Sequence, residues 1–104
     1  MVTLVRDLIG LLLSKMEEGI ELVKKWTAVA CRVLGTPSRC YRPLIGGGDF
    51  TRTILWEMEL DCPVTFEALP AKIGAHPEMQ RLFPKLNAVI DCIDVEVYCP
   101  VPTM

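Results

Sequence analysis

A chain of 104 residues has room for one domain with one modest core, and its 51% hydrophobic content and mean hydropathy of +0.34 are high for that size. Its 11 basic residues nearly balance 13 acidic ones and no run of Lys or Arg exceeds two, which argues against a nucleic-acid partner. No apolar stretch approaches the ~20 residues of a membrane span, and residues 8–13, LIGLLL, are too short for a signal peptide and precede no small-residue cleavage site, so the expected location is the cytoplasm.

Residues 2–13 are rich in Val, Leu and Ile with no helix cap before them, which predicts a first strand, bulged at Gly10. Ser14 and Glu17 make an S-x-x-E capping box for a helix of about 20 residues. Its apolar stripe is Met16, Ile20, Val23, Ala30, Val33 and Leu34, with Trp26 or Thr27 at the margin. Gly35 supplies the C-terminal cap and Pro37 stops continuation. Residues 38–45 read as a second strand, with Arg39 and Tyr41 on one face and Cys40, Arg42 and Leu44 on the other; Pro43 has no N–H to donate and points to an edge position or a bulge.

Gly46, Gly47, Gly48 and Asp49 make a hairpin turn into the stretch that seeds the core, FTRTILWEMELD at 50–61. Phe50, Ile54, Trp56, Met58 and Leu60 fall at even positions, against Thr51, Thr53, Leu55, Glu57, Glu59 and Asp61 at odd ones. Period two makes this a strand, and its length places it inside a sheet. Asp61 or Cys62 caps a second helix with Pro63 at its first position; Pro70 kinks that helix and residues 74–77 end it. Short helical stretches follow at 78–83 and 84–90, separated at Pro84, and residues 94–101 alternate as a last strand. The element order is β-α-β-β-α-β, the ferredoxin-like plan: a four-stranded antiparallel sheet with both helices on one face, an α+β fold. The bare face in so apolar a chain predicts a homodimer.

The runs RPLIGGGDFTRTILWEMELDCPVTFEAL, AHPEMQRLFPKL and IDVEVYCPV resemble the NIPSNAP-like group of dimeric α/β-barrel proteins. The departure is Cys62-Pro63, where the group's pattern has Ser and an aliphatic residue. The resemblance implies two subunits whose sheets form a shared barrel. It also implies relatives that include cofactor-independent monooxygenases and haem-handling proteins, alongside many members without an assigned activity.

Glu57 and Glu59, two apart on one strand face, emerge roughly 7 Å from each other, a spacing suited to a proton-transferring pair if burial raises one pKa. If the even face packs under the helices, the odd face with Thr51, Thr53, Leu55, Glu57 and Glu59 looks into the barrel. The competing role for both glutamates is charge balance against Arg6, Arg39 or Arg42. His76, the only histidine, falls in a turn between Ala75 and Pro77. Trp26, Trp56 and Tyr41 can stack a flat ligand, although Trp56 shares its strand's apolar set. Cys31, Cys40, Cys62, Cys92 and Cys99 form no C-x-x-C pair, which fits free thiols rather than a metal site. No serine motif, paired metal-ligand spacing or dinucleotide fingerprint is present, so no cofactor is expected. The leading expectation is a homodimer that binds a small apolar molecule in its barrel, with Tyr41, Thr53, Leu55 and His76 as ligand contacts. Two alternatives remain: a cofactor-independent monooxygenase or isomerase with Glu57 or Glu59 as general base, and a structural partner subunit.

Overall fold

The computed structural model describes residues 3–45, 50–61 and 71–102. The expected glycine-rich turn at 46–49, the helix from Cys62 with its kink at Pro70, and the Cys62 thiol fall outside them. Strands β1 (Thr3–Leu11), β2 (Ser38–Tyr41), β3 (Thr53–Leu60) and β4 (Ile90–Tyr98) form one antiparallel sheet in the order β2-β3-β1-β4. Helices α1 (Met16–Leu34) and α2 (Pro77–Val89) cover one of its faces, and residues 71–74 are also helical. This is the ferredoxin-like arrangement, with β3 inside the sheet and β2 at its edge, as expected; Pro43 lies past the end of β2 rather than within it.

Period two decides which side chains reach the core. Ile54, Trp56, Met58 and Leu60 of β3 are buried beside Val5 and Ile9 of β1. From above, α1 adds Leu22, Val23, Val29 and Ala30, and α2 adds Met79, Leu82, Leu86 and Val89. Gly35 ends α1 in the left-handed region at φ 65°, its N–H bonded to the Cys31 carbonyl. Ser38, at the start of β2, donates through its N–H to Cys31 Sγ (3.1 Å) and through Oγ to the Thr27 carbonyl (3.2 Å), tying α1 to the sheet edge.

The structure corrects several boundaries. The Ser14/Glu17 capping box does not form: residues Leu13–Lys15 make a 3-10 turn, and α1 starts at Met16 with no side-chain cap. The chain there is pinned by Leu12 N–H on the Val89 carbonyl (2.8 Å) and Lys15 N–H on the Leu12 carbonyl (2.9 Å), so Ser14 lies within the turn. Residues Phe50–Arg52 are a 3-10 turn rather than strand. Pairing of β1 with β3 stops at Gly10 opposite Thr53, and the register with β4 shifts at Gly10/Leu11, the expected bulge. Arg52 instead donates to the Leu11 carbonyl and to Asp91 (3.3 and 2.8 Å). β2 is only four residues long.

Pro84 does not divide α2, which runs unbroken through it. A proline in a helix interior costs ~3 kcal/mol. Burial of Met79, Leu82, Leu86 and Val89 on one stripe contributes roughly 6–12 kcal/mol against it, while exposed Pro84 lies on the solvent side, where water can serve the freed carbonyl. The chain then passes from Val89 directly into β4 at Ile90, four residues earlier than expected, because Ile90 already pairs with Leu11.

Candidate functional site

The segment Val5–Ile9 places a charge where an apolar side chain is the rule. Val5 and Ile9 point under the helices, so Asp7 between them shares that face. Its cross-strand partners are Trp56 on β3 and Val95 on β4. Val23 and Trp26 of α1 and Phe83, Leu86 and Asn87 of α2 come down over it and, with Ile9, Ile90 and Ile93, line a partly open cavity of about 160 Å³. An apolar cavity of about 150 Å³ suffices to hold benzene. Apart from Asp7 and Asn87, the cavity wall is apolar or aromatic.

No described residue bonds to the Asp7 carboxylate, and burial alone pushes its pKa from 3.8 up to about 6. Across from it, the buried indole Nε1 of Trp56 has no hydrogen-bond acceptor among the described residues. The two tryptophan rings meet edge to face with centroids 4.4 Å apart and planes at 69°, which fixes Trp26 against the core as part of the cavity wall. An unpaired acceptor and an unpaired donor thus stand on neighbouring strands. Such groups normally find partners. A carboxylate that binds its proton near neutral pH is matched to general-base work.

The residues singled out from the sequence lie elsewhere. Glu57, Glu59, Thr53 and Leu55 are on the opposite, open face of the sheet, and Tyr41 of β2 stands beside Leu55 on that face. Arg6 donates to Glu57 at 3.4 Å and stacks over the Tyr98 ring at 5.8 Å. The phenol of Tyr98 is held above its ordinary range, chiefly by the neighbouring Glu96 carboxylate. Glu59 is exposed and borders an open cleft of about 240 Å³ with Leu4, Tyr98, Cys99 and Pro100. His76 joins none of these: it caps α2, its Nδ1 accepting the Glu78 N–H at 3.3 Å. Trp56 is core.

Sequence reasoning misses Asp7 because residues 2–13 look like one apolar run, with Leu and Ile at both parities. The usable signal was V-R-D-L-I, in which the aspartate falls in the set of Val5 and Ile9. A larger groove of about 330 Å³ between α1 and α2 is lined by Lys25, Arg32, Arg81, Lys85 and Glu78. Arg32 donates twice to Glu78 (2.9 and 2.7 Å) at the exposed surface, where solvent screens the pair. Among the described residues no group of three metal-ligating side chains occurs, and no helix is long and apolar enough to cross a membrane.

No protein-family model and no curated protein matches the chain. Solved structures do match. A NIPSNAP family protein from Agrobacterium tumefaciens str. C58 superposes with a TM-score of 0.81 at 16% identity, covering 96% of this chain and 86% of that one. An uncharacterised NIPSNAP domain protein from Burkholderia xenovorans gives 0.75 at 14% identity, covering 97% and 95%. A Chloroflexus aurantiacus protein provisionally assigned as an antibiotic biosynthesis monooxygenase gives 0.69 at 10% identity, covering 100% and 97%. At these identities the likeness is one of fold, and the fold is NIPSNAP-like.

Proposed function

We propose that this chain binds a small, largely apolar, single-ring molecule between its helices and its sheet, with Asp7 as the general base at the polar end of the cavity. One observation carries the reading: a desolvated carboxylate without a partner among the described residues lines an apolar space the size of one ring. Asn87, on the same wall, supplies an amide donor for negative charge that develops on a ligand oxygen. Removal of a proton from a carbon next to a carbonyl leaves a carbanion. That carbanion either takes the proton back at another carbon, which is isomerisation, or reduces dioxygen. In the second case R₂CH₂ and O₂ become R₂C=O and H₂O, with no further reductant. The monooxygenase assignment of the Chloroflexus neighbour favours the oxygen branch.

The working unit in this reading is a cytoplasmic homodimer joined through the open face, where Tyr41 and Tyr98 are exposed and Leu4, Leu8 and Leu55 partly so. A second reading keeps the ligand on that face, held by Tyr41, Thr53 and Leu55, with Glu57 or Glu59 as base. The arginine beside Glu57 suits charge balance better than proton abstraction.

The test uses toluene as a shape probe and cyclohexanone as a carbon acid. Toluene should change the fluorescence of Trp26. Cyclohexanone in D₂O should exchange its α-protons faster with protein than with buffer, at a rate that rises with pH through about 6, as expected for a base that works deprotonated. Asp7→Asn should lower the rate ~10²- to 10⁴-fold while toluene still binds. Toluene binding without Asp7-dependent exchange would leave a binding protein and remove the base. Failure of toluene to bind would remove the site.

A further inference from the structure

We infer that the surface groove between α1 and α2 is a binding site for a small organic phosphate, with Lys25, Arg81 and Lys85 around the phosphate and Ala28, Val29 and Leu82 under its carbon body. The site stands apart from the Asp7 cavity, with which the groove shares no lining residue.

Helix geometry brings the cations together. Strands β1 and β4 are antiparallel, α1 runs back from the end of β1 and α2 runs up to the start of β4, so the two helices lie antiparallel on the sheet. Arg32 and Glu78 set their register by bonding across the groove at 2.9 and 2.7 Å. Lys25 lies two turns back along α1 from Arg32, and Lys85 lies two turns forward along α2 from Glu78, about 10.5 Å in each case. The two lysines therefore stand opposite each other at the far end of the groove. Arg81 is one turn from Lys85 on the same stripe of α2, and the remaining lining residues, Ala28, Val29 and Leu82, are apolar.

Charge is answered at one end of this groove and not at the other. Glu78 is taken by Arg32, whose hydrogen bonds hold its carboxyl below the ordinary range. Lys24, next to Lys25 in the chain, pairs with Glu21 at 3.1 Å. Lys25, Arg81 and Lys85 have no acidic partner among the described residues. Like charges one turn apart on a helix repel, and the third cation faces them from α1. A compact dianion is the complement. A carboxylate would answer one of the three charges, whereas a phosphate monoester carries nearly two at neutral pH and offers three acceptor oxygens. The planar guanidinium of Arg81 can take two of those oxygens, with the lysines as point charges on either side. Glu78 limits the length of the ligand, because a second phosphate further along would meet its carboxylate. The groove thus suits one phosphate with an uncharged body, and its volume of about 330 Å³ is at the small end of ligand sites.

Phenyl phosphate is the probe, titrated into the full chain by calorimetry near neutral pH, beside inorganic phosphate and phenyl sulfate, a monoanion of the same shape. Phenyl phosphate should bind one to one with a Kd below about 1 mM, at least ~10-fold tighter than phenyl sulfate, and more weakly in about 0.5 M NaCl. Inorganic phosphate should bind less tightly, since it leaves the apolar lining uncovered. Lys25→Gln and Lys85→Gln should each weaken phenyl phosphate ~10-fold or more, while Lys85→Arg, which keeps the charge, and Lys24→Gln should bind like wild type. Both Gln variants lose a repulsion and should melt no lower than wild type, which separates lost binding from lost folding. No saturation by phenyl phosphate, equal affinity for phenyl sulfate or inorganic phosphate, or undiminished binding in both Gln variants would each overturn the site. Vesicles containing phosphatidic acid display the same monoester on a membrane; a chain that sediments with them and does not bind phenyl phosphate would recognise a lipid surface, which would also overturn the soluble ligand.

Discussion

Replacing Asp7 by Asn keeps the shape of the side chain and removes its charge, so it isolates the cost of holding a carboxylate under the helices. Burial raises the Asp7 pKa from 3.8 to about 6. Each unit corresponds to about 1.4 kcal/mol, giving about 3 kcal/mol for a fully isolated group, and solvent at the cavity mouth trims that to about 1–2 kcal/mol. The sign follows from proton linkage. The folded state holds the proton more tightly than the unfolded chain, so this contribution to stability is complete below pH 3.8 and is lost as pH rises through about 6. Wild type therefore carries the deficit at pH 7.5, and Asp7→Asn does not.

Calorimetric melts from pH 3 to 8 should show the two proteins melting together near pH 3, diverging between pH 4 and 6, and separated by roughly 5–10 °C above pH 7, with Asp7→Asn the more stable. Parallel melting curves at all pH values would refute the desolvation of Asp7, and with it the site. The variant that gains stability is also the one expected to lose proton exchange, an opposition common where an active group is held in an unfavourable setting.

Two further outcomes probe the frame that holds the cavity. Gly19→Ala should destabilise by about 1 kcal/mol in urea titrations although alanine favours helix by a similar amount, because an added Cβ would lie 2.8–3.2 Å from three atoms of the fully buried Leu11 side chain; a stabilised variant would show that α1 does not press on β1 there. His76→Ala should lose about 1 kcal/mol through the uncapped start of α2, and His76→Asp should retain most of it; equal losses in both would assign His76 a role other than capping.

The legible parts of the fold were those in which local pattern and burial agree. The even positions of β3 from Ile54 to Leu60, the Gly35 cap of α1 and the irregularity at Gly10 agree with the sequence reading, whereas the α1 stripe holds only at Val23 and Ala30: Leu22 and Val29 are buried in its place and Met16, Ile20, Val33 and Leu34 are half-buried at its margin. The misread parts are conflicts that tertiary packing decided. At Pro84 a local breaker opposed four apolar residues at helical spacing, and the buried stripe prevailed. At Ser14 a good capping pattern gave way to the hydrogen bond between Leu12 and Val89, which connects residues 77 positions apart and is invisible in any window around Ser14. Parity puts Thr53, Leu55, Glu57 and Glu59 on one face, and they share the open face; Tyr41 joins them there through its pairing with Leu55, which no local window shows, while His76, expected in a turn, caps α2 away from them.

Arg6 and Asp7 explain why the site itself stayed hidden. As neighbours in the sequence they look like a neutral pair, and a count of charges cancels them. On a strand their side chains leave opposite faces. Arg6 emerges among Glu57, Glu96 and Tyr98, where its charge is answered, and Asp7 emerges beneath Val23 and Trp26, where no described residue answers it. The separation is held by register: Val5, Ile9 and Leu11 must stay under the helices, and a slip by one residue would expose them and bury Arg6 in place of Asp7. The apolar residues of β1 therefore hold a carboxylate in an environment that it would leave if it were free to do so. One side of the sheet is left with charges that answer one another, and the other with a buried carboxylate that has no partner among the described residues.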